Sequence, residues 1–458
     1  MNFTGLLEPQ KDHSRKILDS IYINGVATDL SQTGTGKTYS AGWTAQQLDD
    51  PVVVICPKVV CHTWYKTLKL FNITPHLVVN FELLLRGNTP YLKYNLNKFM
   101  KTNDWWKTEG LTLKKKKNAL IIVDEAHKCR GQKSLGMHLL TALKNYGYKV
   151  LCLSATQATS VADMKGFGYL TNLHNGKNFK QWCFDHGAVY NEFGTISWDG
   201  TQQVAQEGMQ RIHNTIFNVQ KLAGRMKRKD FGNIFPDNRV LPEVFDLGSN
   251  TAKVQLAYDL MEAELAALEK RAANYSQHVL AAMMKTRRQV ELLKVPTMVD
   301  WIEDMYDEGI SPVVFVNFTD SVQAIVNKLN TKKYQDKIAL FTGLQTDHQK
   351  NEFLKEFQAD KRRIMIANID AGNMGVSMHD LNGLYPRHSL LSPTWKAINI
   401  IQSIGRIHRA YGLSPCIQRL LYANVPIEEK MCDRLQARVD NLDMLNDGDL
   451  SYEYCFSA

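Results

Sequence analysis

Short runs of β-branched and aliphatic residues recur along this chain, each leading into a stretch with helical spacing, and the series occurs twice. In the first half the runs lie at 22–30, 51–56 (PVVVIC), 77–80, 120–123 and 149–153 (KVLCL), with helical stretches at 9–21, 37–48 and 63–71. In the second half they lie at 312–316 (PVVFV), 338–341 and 363–367 (RIMIA), with helices at 320–329 and 347–357. Consecutive apolar positions suit strands covered on both faces, and alternation with helices implies parallel sheets. A chain of 458 residues exceeds one ordinary core. The expectation is an α/β protein with two tandem layered lobes, 1–240 and 241–458. A helical appendage occupies 161–235, and the proline-containing stretch 236–247 (PDNRVLPEVFDL) reads as the connection between lobes.

One strand-to-helix junction carries chemistry of its own, SQTGTGKT at 31–38. Gly34 and Gly36 let the backbone curl so that successive N–H groups converge on a polyphosphate. Lys37 would reach the outer phosphates, and the Thr38 hydroxyl would face Mg²⁺. The pattern G-x-x-x-x-G-K-[ST] places glycine first, whereas this chain has Ser31. The helix that follows turns its positive end toward the phosphates. The next signal is Asp124–Glu125–Ala126–His127, directly after the run 120–123. Two acids at the carboxyl edge of a parallel sheet lie where ligands bind. Asp124 can hold Mg²⁺, and Glu125 can orient and deprotonate the water that attacks a γ-phosphate. Ser154-Ala155-Thr156 follows the next run at the same edge, where it could link the nucleotide to moving parts or simply form a turn.

The second half has no phosphate loop. Its strand ends, Thr342–Gly343 and the stretch 371–377 (AGNMGVS), offer backbone amides to an anionic polymer. Near the end, Gln402, Arg406 and Arg409 fall at i, i+4 and i+7 and project from one face if helical. Arginines presented to a γ-phosphate accelerate phosphoryl transfer by roughly 10³–10⁵. The segment 251–309 is strongly helical, and 426–446 reads as one helix packing back on the fold. Basic clusters occur at Arg225, Lys227, Arg228 and Lys229, and at Lys285, Arg287 and Arg288. Lys114–Lys117, after Trp105 and Trp106, reads as a solvated loop. Residues 188–198 read as a hairpin, either a surface decoration or a wedge.

Net charge is +9, which permits a polyanionic partner without requiring one. The eight cysteines form no C-x-x-C pair and read as free thiols in a reducing compartment, with zinc the weaker alternative. The first residues, MNFTGLLEPQKDHSRK, lack the long apolar stretch expected of a signal peptide, and no run of roughly 18 apolar residues occurs. The expectation is a soluble intracellular protein without a membrane partner, cytoplasmic or nucleoid-associated, and its compact length suits a phage or viral source.

In order, the blocks SQTGTGKT, VVVICPKVVCHTW, VVNFELL, IIVDEAHK, LSATQ, VVFVNF, FTG, ANIDAGNMGVSM and QSIGRIHRAYG resemble those of superfamily 2 helicases and translocases. The CPK…W block and QSIGRIHRAYG look most like the Swi/Snf-like branch, while SAT is similar to the wider superfamily. The resemblance implies two RecA-like lobes that hydrolyse ATP with Mg²⁺ and engage nucleic acid with little sequence preference. It implies Gln10 as the adenine contact and Thr33, Gly34, Thr35, Gly36, Lys37, Thr38 and Gly375 on the nucleotide. Thr38 and Asp124 would hold the metal, and Lys37, Asp124, Glu125, Gln402, Arg406 and Arg409 would serve hydrolysis, the two arginines as fingers. Lys58, Trp64, Asn80, Ser154, Thr156, Thr342, Gly343 and Asn373 would line the nucleic-acid side. The branch favours double-stranded or branched DNA. An RNA helicase, an ATP-gated clamp, and the motor subunit of a larger recombination or nuclease assembly are the competing readings, with protein partners in replication or recombination.

Overall fold

The structure is a computed structural model and describes residues 5–85, 92–94, 111–113, 118–130, 134–191, 195–198, 203–245, 247–269, 275–372, 376–450 and 456. Two compact units divide it. Unit 1 is Met1–Gly232 with Ala437–Tyr452, and unit 2 is Asn233–Gln436 with Glu453–Ala458.

In unit 1 the strands are, in chain order, β1 (Val26–Asp29), β2 (Val52–Cys56), β3 (Leu77–Asn80), β4 (Leu92–Tyr94), β5 (Leu111–Leu113), β6 (Leu120–Asp124), β7 (Lys149–Leu153), β8 (Val189–Tyr190), β9 (Ile196–Ser197) and β10 (Ala223–Gly224). Six of them form one parallel sheet in the order β10-β1-β7-β6-β2-β3. Alternate residues feed cores on opposite faces: Leu120 and Ile122 pack with Ile17, Ala41 and Leu68, whereas Ile121 and Val123 pack with Leu139, Leu143 and Phe167. The double coverage explains why these strands read as unbroken apolar runs.

Unit 2 repeats the plan with β11 (Asn238–Phe245), β12 (Ser311–Val316), β13 (Ile338–Phe341), β14 (Ile364–Asn368), β15 (Arg387–Leu391) and β16 (Cys416–Ala423). They form a second parallel sheet in the order β11-β16-β15-β12-β14-β13. The long helices Ser249–Glu269 and Tyr275–Asp307 cover one face, burying Val254, Val295 and Ile302 against Val314, Ile366 and Leu390. Two layered α/β lobes are therefore present, as expected.

Several boundaries differ from the sequence reading. Residues 22–24 continue the helix Glu8–Asn24, because the stop comes only at Gly25, whose φ of 70° lets its N–H close on the Ile21 carbonyl. Within the supposed appendage, Ala223–Gly224 joins the main sheet as an edge strand beside β1. The hairpin is present as β8 and β9. The stretch read as a connection is β11, paired along its length with β16. Pro242 is tolerated because β11 is an edge strand. The strands β15 and β16 were not anticipated. The helix Pro426–Asp447 matches the reading, but residues 437–452 group with unit 1: the Leu445 carbonyl lies 3.1 Å from His213 Nδ1, and Asn446 Nδ2 donates to the Ala155 carbonyl.

Trp105, Trp106 and Lys114–Lys117 fall outside the described residues. Cys56, Cys61, Cys129, Cys152, Cys183, Cys416 and Cys432 are free thiols. Among the described residues, no helix is long and apolar enough to cross a membrane.

Candidate active site

In unit 1 the phosphate loop leaves the carboxyl end of β1 and enters the helix Lys37–Leu48 through Gly36. Gly34 (φ 87°) and Gly36 (φ 89°) occupy the left-handed region, which β-carbons resist. At Gly36 there is also no room, since an added Cβ would stand 2.3 Å from Gln10 Nε2. Gln10 is buried on the loop. Its Nε2 donates to the Thr35 carbonyl at 2.9 Å and its Oε1 accepts from the Leu7 N–H at 2.9 Å. The Gln10 side chain thus braces the loop. Thr35 Oγ1 donates to the Gln32 carbonyl, and Lys37 Nζ donates to the carbonyls of Ser31 (2.8 Å) and Gln32 (3.0 Å). Burial pulls the Lys37 ammonium below its usual range, against the attraction of Asp29, Glu125 and Asp124. Thr33, Gly34 and Thr38 are partly exposed along the same loop.

Ser31, the departure from the glycine pattern, has its own explanation. It stays out of the left-handed region, so glycine is not required. Its N–H donates to Asp29 Oδ1 at 2.9 Å, and its Oγ accepts from the Met226 N–H at 2.9 Å. Asp29 in turn meets His13 Nε2 at 3.0 Å. Burial opposes the Asp29 charge, but His13, Lys37 and the Ser31 contact hold its carboxyl below the usual range.

The acidic pair ends β6. Burial, then the like charge of Glu125, pushes the Asp124 carboxyl up to about 7. The hydrogen bond from Trp64 and the charge of Lys37 act the other way. A buried acid beside a second acid is a donor set that a divalent cation would satisfy, and Mg²⁺ takes one or two protein oxygens beside substrate phosphates. Asp124, with Thr38 at the start of the helix Lys37–Leu48, would supply those oxygens. Glu125 adopts φ 55° and ψ 49°, a left-handed conformation costing roughly 1–2 kcal/mol in a non-glycine residue. There Glu125 Oε2 lies 3.2 Å from His127 Nδ1, and the same nitrogen lies 3.2 Å from Ser154 Oγ, which accepts from the Thr156 N–H. The acid and the serine–threonine motif are thereby joined through one buried imidazole.

Four residues expected on the nucleic-acid side are buried. Trp64 is 1% exposed and spends its indole N–H on Asp124. Ser154 and Thr156 are buried around His127. Thr342, 1% exposed, is turned inward onto Gln345, its Oγ1 donating to Oε1 at 2.7 Å. Lys58 and Gly343 are exposed, and Asn80 Oδ1 caps the helix Phe81–Leu85 by accepting from Leu83 N–H. Asn373 and Gly375 lie outside the described residues.

In unit 2, Gln402 and Arg406 lie on the helix Ala397–Ile407 and are buried. The single-face reading fails for Arg409, because the helix ends at Ile407 and His408 is extended. Arg409 folds back instead, Nε donating to the Gly405 carbonyl at 3.0 Å and Nη1 to Ser377 Oγ at 2.8 Å. Met378 N–H closes on the Arg406 carbonyl, so residues 376–378 run beside both arginines.

Comparison with known proteins gives matches along most of the chain. A family model described as type III restriction enzyme, res subunit, matches residues 6–159, and one described as helicase conserved C-terminal domain matches 294–411. The protein named "Putative ATP-dependent RNA helicase L364" of Acanthamoeba polyphaga mimivirus is 30% identical over 464 residues, covering 96% of this chain and 83% of its own. A second mimivirus protein with the same description, L538, is 22% identical over 429 residues, covering 88% and 84%. Among solved structures, the Sulfolobus solfataricus SWI2/SNF2 ATPase core in complex with dsDNA aligns over 98% of this chain and 94% of that one, at 15% identity and a TM-score of 0.37.

Proposed function

The chain belongs to the superfamily 2 helicases, and on that premise we propose that it is a nucleic-acid-stimulated ATPase of the Swi/Snf-like branch that moves along or remodels double-stranded or branched DNA. The observation that carries the ATPase reading is the convergence, within unit 1, of the Lys37 loop, Asp124 held by Trp64, and Glu125 joined to Ser154 through His127. The loop amides and Lys37 bind the phosphates, with Gln10 on the adenine. Mg²⁺ on Thr38 and Asp124 would neutralise charge on the phosphate oxygens. Glu125 orients the attacking water and takes its proton. A shift of the Glu125 carboxylate during turnover is felt at His127 and passed to Ser154 and Thr156, so that loop reports the state of the nucleotide. Arg406 and Arg409 are proposed to act on the γ-phosphate in the ATP-bound protein. Lys58 and Gly343, both exposed, are proposed to meet the polymer's phosphates, and such contacts carry little sequence information and are salt-sensitive.

The choice of DNA rests on the CPK…W and QSIGRIHRAYG blocks. RNA is the second reading, favoured by the names of both viral relatives. Those relatives also support a viral source. ATP turnover at fixed salt is to be measured with duplex DNA, forked DNA, single-stranded DNA and RNA, alongside strand-displacement assays. The strongest stimulation is expected from duplex or forked DNA. A dominant RNA response overturns the DNA assignment, and triplex displacement without ATP-dependent release would support a clamp.

A further inference from the structure

The phosphate loop is supported by a second stretch of chain. After β10, residues 224–228 run alongside residues 30–33: Leu30 N–H donates to the Gly224 carbonyl (2.9 Å), Gln32 N–H to the Met226 carbonyl (3.0 Å), and Met226 N–H to Ser31 Oγ. The stretch ends on Arg228, 5% exposed, whose N–H donates to Gln32 Oε1 at 2.7 Å. Its guanidinium forks onto one residue, Nε donating to the Thr33 carbonyl at 3.1 Å and Nη2 to Thr33 Oγ1 at 2.5 Å. The other end is anchored in unit 1. Arg225 grips Asp447 with two bonds, 2.7 and 2.8 Å, Lys227 Nζ adds a third at 2.8 Å, and Arg225 Nη1 donates to the Leu30 carbonyl at 2.6 Å.

One feature makes this more than packing. A loop that receives an anion must point its N–H groups inward and its carbonyls elsewhere, since a carbonyl in the cradle repels phosphate. Thr33 lies in the middle of the loop, and the Arg228 fork engages its carbonyl and its hydroxyl. We infer that Arg228 is a positioning residue for ATP binding: it holds Thr33 so that the loop keeps its phosphate-receiving form, and the Arg225–Asp447 pair anchors the stretch that presents it.

This inference rests on the ATP-loop reading proposed above. The test uses the full chain with saturating nucleic acid, measuring KM and kcat for ATP together with the Kd of a fluorescent ADP analogue. For Arg228→Gln, KM and Kd are expected to rise about tenfold with kcat within about twofold, the pattern of lost ground-state binding. Arg228→Lys restores the charge without the fork and should recover only part, near threefold above wild type. Asp447→Asn should shift KM and Kd in the same direction by a smaller factor. Unchanged KM and Kd in the Arg228 variants, with or without a fall in Tm, would overturn the inference. Lys37→Ala separates the two readings. If it abolishes analogue binding while both Arg228 variants bind normally, only this inference fails. If it binds normally, the ATP-loop reading fails.

Discussion

Trp64 Nε1 donates a 2.8 Å hydrogen bond to Asp124 Oδ2, tying the helix Cys61–Leu70 to the carboxyl end of β6. The bond favours the ionised carboxylate, the form Mg²⁺ would need, and opposes the burial and Glu125 charge that push Asp124 up to about 7. Trp64→Phe preserves most of the buried ring and removes the donor. A hydrogen bond to a charged group contributes about 1.5–3 kcal/mol, so the Mg²⁺ concentration for half-maximal ATPase should rise by roughly ten- to a hundredfold. Titration of Mg²⁺ at fixed ATP checks this, and an unmoved midpoint would show that the bond only fills space.

Lys37 and Glu125 should separate binding from chemistry. Lys37→Ala removes the cation from the loop and is expected to abolish both nucleotide binding and turnover. Glu125→Gln keeps the shape and the left-handed turn but removes the proton acceptor, so the variant should bind ATP and hydrolyse it at least about a hundredfold more slowly. Circular dichroism on both variants should match wild type. Normal ATPase activity in either would refute the site assignment.

The sequence reading recovered the elements that local chemistry specifies and missed those decided by distant partners. The helix Lys37–Leu48 and the strands β3, β7 and β13 fall where spacing puts them, because short apolar runs and the glycine–lysine start of the helix are local signals. β10 is only two residues long, and nothing in Ala223–Gly224 marks it as a strand until β1 lies alongside. β15 carries Arg387 and His388 in place of an apolar run, and its charge is absorbed by the pairing of Arg387 with Asp360. The proline in β11 argues for a linker unless the strand is known to be an edge. In the site, glycine, lysine and acid motifs were legible because chemistry fixes their spacing. Trp64 is less legible, because an indole reads equally well as a stacking surface or a buried donor, and its bond to Asp124 depends on a residue sixty positions away.

His174 makes stability fall on the acid side of neutrality. It is packed between Phe179 and Trp182, with Nε2 3.3 Å from the Met164 carbonyl and Nδ1 accepting from the Gly176 N–H. A proton on Nδ1 would break that second bond, and burial pushes the imidazole down to about 4. The folded chain therefore binds fewer protons than the unfolded one between pH 6.5 and 4. This contribution is complete above 6.5 and is lost as pH falls toward 4. Its ceiling is about 3 kcal/mol. Buried His379 and half-buried His388, also pushed down to about 4, act with the same sign, so His174→Gln should reduce the acid slope of chemical denaturation without abolishing it. An identical slope in the variant would show that His174 titrates alike in both states.

In unit 2 the Lys294–Glu428 pair should behave as a buried charge pair, not a surface bridge. Lys294 Nζ lies 2.5 Å from Glu428 Oε2, with the two side chains 5% and 1% exposed. Oε2 also accepts from the Ala423 N–H at 2.6 Å, and Oε1 from the Tyr258 hydroxyl at 3.1 Å. The carboxylate thus joins the end of β16 to both long helix layers, and its charge is balanced chiefly by one ammonium. Lys294→Met leaves that charge buried without its cation and should cost about 3–5 kcal/mol. Adding Glu428→Gln removes the orphaned charge while keeping an acceptor for Ala423, so the double variant should regain most of the loss. Urea denaturation of the wild type, both single variants and the double gives the coupling directly. A double variant no more stable than Lys294→Met would mean that the pair contributes through packing alone.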